Sequence, residues 1–207
     1  MRDNPVRYFL ARGCYPVFAI LLLLSGCATQ PPVSQSDKTE QWLQHQARIN
    51  TIRDWTLTGR IAIQLEKDGG SASLYWKQAG GDYFLRFIAP FGRGTYELSG
   101  NEQGVSLRTN DNRILSARDP ESLLQQNLGW HVPISGLVYW IRGLSQPGAG
   151  VLSLDEKGRL EELAQSGWQV NYQHYVTIKG VDMPGKLSLE NEQLKVRLLI
   201  KEWEFSL

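Results

Sequence analysis

Between Trp55 and Leu65 the chain alternates: Trp55, Leu57, Ile61, Ile63 and Leu65 fall on one face, and Thr56, Thr58, Arg60 and Gln64 on the other. A period of two predicts a half-buried strand. Asp68-Gly69-Gly70 turns the chain, after which Ala72, Leu74 and Trp76 alternate with Ser71, Ser73, Tyr75 and Lys77. Gly80-Gly81-Asp82 makes a second turn before Tyr83, Leu85 and Phe87. The pattern runs on through Thr95 to Ser99, with Tyr96 and Leu98 facing together, and through Val105 and Leu107 to the hairpin signal Asn110-Asp111-Asn112. Strands resume at Glu161 to Ser166, at Trp168, Val170 and Tyr172, and at Lys186 to Glu190, with a last run from Gln193 to Phe205 beyond the hairpin Asn191-Glu192. Short strands at about ten-residue spacing predict an antiparallel meander. The expected fold is mainly β with helices: one large curled sheet with the helices against one face.

Three segments carry the helical period instead. Glu40 to Arg53 places Trp42, Ile49 and Ile52 near one face with Leu43 and Ala47 alongside, and Asp37 or Thr39 as N-cap. Asp119-Pro120 supplies an N-cap and a first-turn proline for a helix with Leu123, Leu124 and Leu128 that stops at Gly129. Ser135 is expected to cap a short helix with Leu137, Val138 and Ile141, ending at Gly143.

The N-terminus follows neither period. Arg2, Arg7 and Arg12 precede the apolar run Val17 to Leu24, which is too short to cross about 30 Å of hydrocarbon as a helix. A basic start, a short apolar core and small residues behind it describe an export signal. Leu24-Ser25-Gly26-Cys27 directly behind that core resembles the bacterial lipobox, which implies cleavage before Cys27 and acylation of its thiol. Ala28 resembles an outer-membrane sorting signal. Residues 28 to about 38, ATQPPVSQSDK, have almost nothing to bury and read as a flexible tether. The expected organisation is a signal at 1–26, a lipidated cysteine and tether at 27–39, and one domain at 40–207.

Composition narrows the function. Of the 207 residues 22 are basic and 21 acidic, and loss of the signal with Arg2, Arg7, Arg12 and Asp3 leaves 19 against 20. A near-neutral body argues against nucleic acid as partner. With cleavage before Cys27, as the lipobox resemblance implies, Cys14 leaves with the signal and Cys27 carries acyl chains, so the body is expected to hold no thiol. Two or more chains anchor stably, at about 0.8 kcal/mol per buried methylene. His45, His131 and His174 are scattered without metal-ligand or nucleophile spacing, and no metal site is expected. Gly92-Arg93-Gly94 starts like a dinucleotide fingerprint, but Glu97 stands where the third glycine belongs and a strand follows. The carboxylate pairs Asp155-Glu156 and Glu161-Glu162 lie in polar, turn-like contexts. Nothing points to a catalytic group, so no enzyme and no cofactor beyond the acyl chains is expected.

What remains is apolar. All seven tryptophans follow Cys27, and a curled sheet with an apolar inner face lidded by short helices would form a pocket for a greasy ligand. Alternation and helix faces nominate Leu57, Ile61, Ile63, Leu74, Trp76, Leu85, Phe87, Tyr96, Leu98, Leu124, Val138 and Ile141 as its lining. The loop Ala89-Pro90-Phe91-Gly92-Arg93-Gly94 carries a phenylalanine at its tip beside a cation, as a side chain touching a membrane would. A lipoprotein subunit of an envelope assembly complex and a periplasmic hydrolase are the competing classes.

Across essentially the whole chain the residues resemble the LolB family, outer-membrane lipoprotein receptors of Gram-negative bacteria. The resemblance is carried by the lipobox at Cys27, by Trp42-Leu43-Gln44-His45-Gln46, by Tyr75-Trp76, by Pro90-Phe91-Gly92 before Thr95-Tyr96-Glu97-Leu98, and by Val138-Tyr139-Trp140-Ile141-Arg142-Gly143-Leu144. It implies an unclosed half-barrel of antiparallel strands with short helices covering an apolar cavity, in a monomer on the periplasmic face of the outer membrane. It also implies acylated lipoproteins as cargo, the periplasmic carrier LolA as donor and outer-membrane lipid as acceptor. In that family an apolar residue, often Leu, protrudes from the loop matched by Phe91 and helps release cargo into the membrane. Exposing three chains of about fifteen methylenes to water costs on the order of 30 kcal/mol, so cargo must pass directly from pocket to pocket.

Overall fold

A computed structural model describes residues 35–65, 69–90, 94–128 and 132–207. The expected signal, Cys27, the first part of the tether, Phe91, Gly92 and His131 lie outside the described residues.

Helix α1 (Gln35–Asn50) is the first described element. It includes Gln35 to Thr39, which were expected in the tether, and both candidate caps sit within it. Asp37 lies in the first turn, where a carboxylate suits the positive helix end, and the Thr39 hydroxyl donates to the Gln35 carbonyl at 3.0 Å. The body secures these turns from outside: Trp42 and Ile49 are buried, and Lys38 Nζ donates to the Leu154 carbonyl at 3.4 Å. Leu43 and Ala47 are exposed rather than packed, so the helix buries a narrow stripe.

The sheet has eleven antiparallel strands: β1 (Asp54–Leu65), β2 (Gly69–Ala79), β3 (Asp82–Ile88), β4 (Thr95–Asn101), β5 (Gly104–Arg108), β6 (Ile114–Ala117), β7 (Gly150–Leu154), β8 (Leu160–Gln165), β9 (Trp168–Ile178), β10 (Val181–Glu190) and β11 (Leu194–Phe205). Their order is β6-β5-β4-β3-β2-β1-β11-β10-β9-β8-β7. Two hairpin runs thus meet where the first strand pairs with the last. β6 and β7 stand at opposite edges, and the sheet stays open.

The β1–β11 seam is irregular at one point. Thr58 pairs with Glu202 but Gly59 with Ile200, so Lys201 is an extra residue on β11. A Cβ on Gly59 would run into the Leu199 carbonyl oxygen, with Ile200 Cα at 3.1 Å. Only glycine lets the bulged backbone approach this closely.

The alternation missed β7, because its first four residues are all exposed, Val151 at 77%. An edge strand with no buried face writes no period. The pattern also placed the start of β10 too late. Strand β10 begins at Val181, but Met183, Pro184 and Gly185 are buried in succession and the register to β9 shifts around Lys186. Proline at a bulge is tolerated in a sheet and erases the period-two signal.

Candidate functional site

Two helices cover the inner face of the sheet: α2 (Pro120–Leu128) and α3 (Ile134–Trp140). Asp119 caps α2, accepting from the Ser122 amide at 2.7 Å, and this bond holds its carboxyl below the usual range. Ser135 does not cap α3, which follows Pro133 without a side-chain cap. The Ser135 amide and hydroxyl instead donate to Glu121 Oε1 at 2.9 and 2.7 Å. A carboxylate from α2 thus occupies the positive end of α3 and ties the two helix starts together.

Beneath the helices lies a pocket whose lining side chains are all apolar. The strands contribute Ile61, Ile63, Leu74, Trp76, Leu85, Phe87, Leu189, Val196 and Leu198, and the helical layer Leu124, Val132, Ile134, Leu137 and Ile141. Its one polar side-chain atom, Trp76 Nε1, donates to Gln78 Oε1 at 3.2 Å. The enclosed space is only about 20 Å³, room for roughly one water. Next to it, sharing Ile61, Ile63 and Phe87, a wider space of about 190 Å³ opens between Leu65, Gly69 to Ala72, Ala89 and Tyr96. The mouth therefore lies between the end of β1 with the start of β2 and the end of β3 with the start of β4, beyond which Pro90 is exposed.

Of the residues nominated from the pattern, eight line the pocket (Ile61, Ile63, Leu74, Trp76, Leu85, Phe87, Leu124 and Ile141) and Tyr96 lines its mouth. Leu57, Leu98 and Val138 do not. Leu57 is fully buried further back along β1, opposite Trp76 and Trp203. There Trp55 packs on Trp76 and Trp203 at ring distances of 5.5 and 5.4 Å, an aromatic layer at the back of the pocket. Leu98 is fully buried between Leu85 and Leu107 in the register. Val138 is on the far side of α3, in a groove of about 400 Å³ with Tyr139 and Arg142. Val132, Ile134, Leu137, Leu189, Val196 and Leu198 were not nominated. Val196 and Leu198 lie within the last expected run, but nothing local says that this strand pairs with β1.

The two ends of α3 are held differently. At its C-terminal end the Trp140 indole donates to Gln165 Oε1 at 3.1 Å, and the Tyr172 hydroxyl donates to the Trp140 carbonyl at 2.9 Å. Burial pushes the Tyr172 hydroxyl well above its ordinary pKa, so it stays a donor. Gln165 also accepts from the Gln146 amide at 3.0 Å and donates to the Gln146 carbonyl at 2.9 Å. The Arg142 guanidinium donates to the Val138 and Ile52 carbonyls at 2.8 and 3.3 Å, and burial lowers its pKa. At the N-terminal end the Glu121–Ser135 pair is exposed and links α3 only to α2. Among the described residues no cluster of His, Cys, Asp or Glu could hold a metal.

The described residues form an open antiparallel sheet with a wholly apolar pocket under two short helices, an architecture suited to apolar chains, and the lining side chains include no nucleophile and no acid–base pair. The family described as outer membrane lipoprotein LolB matches residues 53–203, and this chain belongs to the LolB family. The outer-membrane lipoprotein LolB of Nitrosococcus oceani is 40% identical over 89% of this chain and 93% of its own length. That of Pseudomonas savastanoi pv. phaseolicola is 37% identical over 91% and 94%, and that of Pseudomonas paraeruginosa 36% identical over 96% of each. Two crystal structures share the fold at 9% identity. One is a LolA superfamily protein from Nitrosomonas europaea, with TM-score 0.50 over 84% of this chain and 94% of that one. The other is described as an outer membrane lipoprotein-sorting protein domain from Vibrio parahaemolyticus, with TM-score 0.51 over 81% and 93%. The chain is an outer-membrane lipoprotein of the localisation system, and not an enzyme.

Proposed function

We propose that this protein accepts acylated lipoproteins from the periplasmic carrier LolA and inserts them into the outer membrane, held there by acyl chains on Cys27. The observation that carries this reading is the apolar pocket opening beside the β3–β4 loop. An assembly-complex subunit would have no use for such a pocket, so the receptor is favoured.

The closed pocket holds about 20 Å³ and takes no acyl chain until α2 and α3 lift. The pinned end of α3 lies at Trp140 and Arg142, so the lid opens at its Glu121–Ser135 end. Incoming chains replace the contacts that α2 and α3 make with the strands, and the apolar area left in water stays small. No nucleotide is needed: transfer runs downhill from the weaker to the tighter acyl site and then to the bilayer. Phe91 at the loop tip enters the membrane and opens the path from mouth to lipid.

A fluorescent fatty acid bound to the protein should be displaced by an acylated lipoprotein and not by its unacylated form. Absence of fatty-acid binding would refute the pocket assignment. Phe91→Glu should still accept lipoprotein from the carrier but deposit it poorly in vesicles; wild-type deposition would remove Phe91 from the mechanism.

A further inference from the structure

The outer face of the sheet carries one region with unbalanced charge. Register across β10, β11, β1, β2 and β3 aligns Lys186, Leu199, Arg60, Ser73 and Ile88 in one row. The next row toward the mouth aligns Ser188, Arg197, Ala62 and Ser71. Neither set contains an acidic residue. In the flanking rows Glu97 is engaged by Arg86 and Arg108, and Glu190 by Lys195, while Glu202 lies opposite Thr58. Lys186, Arg60 and Arg197 form no ion pair among the described residues.

Two large apolar side chains share the row with Lys186 and Arg60. Leu199 is 47% exposed and Ile88 46%. Strands lie about 4.8 Å apart and rise about 3.4 Å per residue. Lys186 and Arg60 therefore flank Leu199 on either side, and Arg197 follows about 7 Å along β11. An exposed leucine flanked by two unpaired, long-stemmed cations, with an exposed isoleucine two strands further along the same row, suits an interface that is apolar inside and anionic at its surface.

We propose that this patch docks on the anionic lipid surface of the membrane, with Leu199 and Ile88 between headgroups and Lys186, Arg60 and Arg197 on lipid phosphates. Charge complementarity selects that partner. So does position: Ile88 ends β3 and leads into the loop that the proposed function sets against the membrane, and the inference rests on that reading. A tether alone leaves the body free to rotate. The docked patch turns the mouth and the β3–β4 loop toward the bilayer, and the protein deposits cargo from one orientation.

The test uses the acylated protein in phosphatidylethanolamine vesicles with or without phosphatidylglycerol. A fluorophore on Ser73→Cys, between Arg60 and Ile88 in the patch row, is read by acrylamide quenching. Each cation contributes about fivefold to the docked-to-free ratio. Quenching should therefore fall severalfold with phosphatidylglycerol, and recover in Arg60→Glu/Arg197→Glu or in wild type at high salt. The salt arm keeps the test valid even where the double variant folds poorly. Equal quenching with and without phosphatidylglycerol overturns the proposal, as does shielding that survives both charge reversal and salt. Shielding that appears only when the carrier is added also overturns it, and assigns the patch to an acidic protein face. Deposition by Phe91→Glu reads the loop and shielding at residue 73 reads the patch, so either can fail alone.

Discussion

Gln165→Met separates hydrogen bonding from packing at the anchored end of the lid. The side chains are alike in length and volume, so no cavity opens. What is lost is the set of bonds that Gln165 makes to the Trp140 indole and to the Gln146 amide and carbonyl. Trp140 is fully buried, so its Nε1 donor is left with no water in reach, at a cost of about 1–3 kcal/mol. Gln146 is only half-buried, and water recovers most of its two bonds, adding about 1 kcal/mol. The expected loss is about 2–4 kcal/mol, or about 1–2 M in urea midpoint at a slope near 2 kcal/mol per molar. Tryptophan fluorescence during urea unfolding reads it. Trp140→Phe removes the orphaned donor itself, so Trp140→Phe/Gln165→Met should be less destabilised than the sum of the single variants. A midpoint within experimental error of wild type, or strict additivity in the cycle, would refute the anchor.

Two further predictions concern the frame. Gly59→Ala forces a methyl against the Leu199 carbonyl across the β1–β11 bulge, and should cost about 3 kcal/mol or more; a urea midpoint equal to wild type would show that the bulge relaxes freely. Arg159 joins Asp155 and Asp182 at 2.6 and 3.0 Å. Burial alone would raise both carboxyls, but hydrogen bonds and the guanidinium charge outweigh it and hold both below the usual range. A depressed folded pKa gives stability that is complete above about pH 4, the unfolded value, and is lost as pH falls through the folded value. Stability measured by urea titration should decline below about pH 4, and Asp182→Asn should flatten that decline. An unchanged acid limb in Asp182→Asn would refute the assignment.

Much of this protein is written locally. The alternation from Trp55 to Leu65 requires a strand with one buried face, and β1 has Trp55, Leu57, Ile61 and Ile63 buried on that face. Asp119-Pro120 specifies the start of α2 through one cap bond. The apolar inner face also follows from residues near one another in the chain. The tertiary structure alone decided that β1 pairs with β11, which brings Val196 and Leu198 to the pocket beside Ile61 and Ile63. It also decided that Leu57 behind the pocket and Leu98 beside it are core, although they share its face, and that Gln165 rather than Ser135 holds the C-terminal end of α3. Period reports which face a side chain takes, because the backbone repeats every two or 3.6 residues. Enclosed space depends on how far along the strand a residue lies and on which distant strand lies beside it. Those distances are set when the two ends of the chain pair, and no local period carries them.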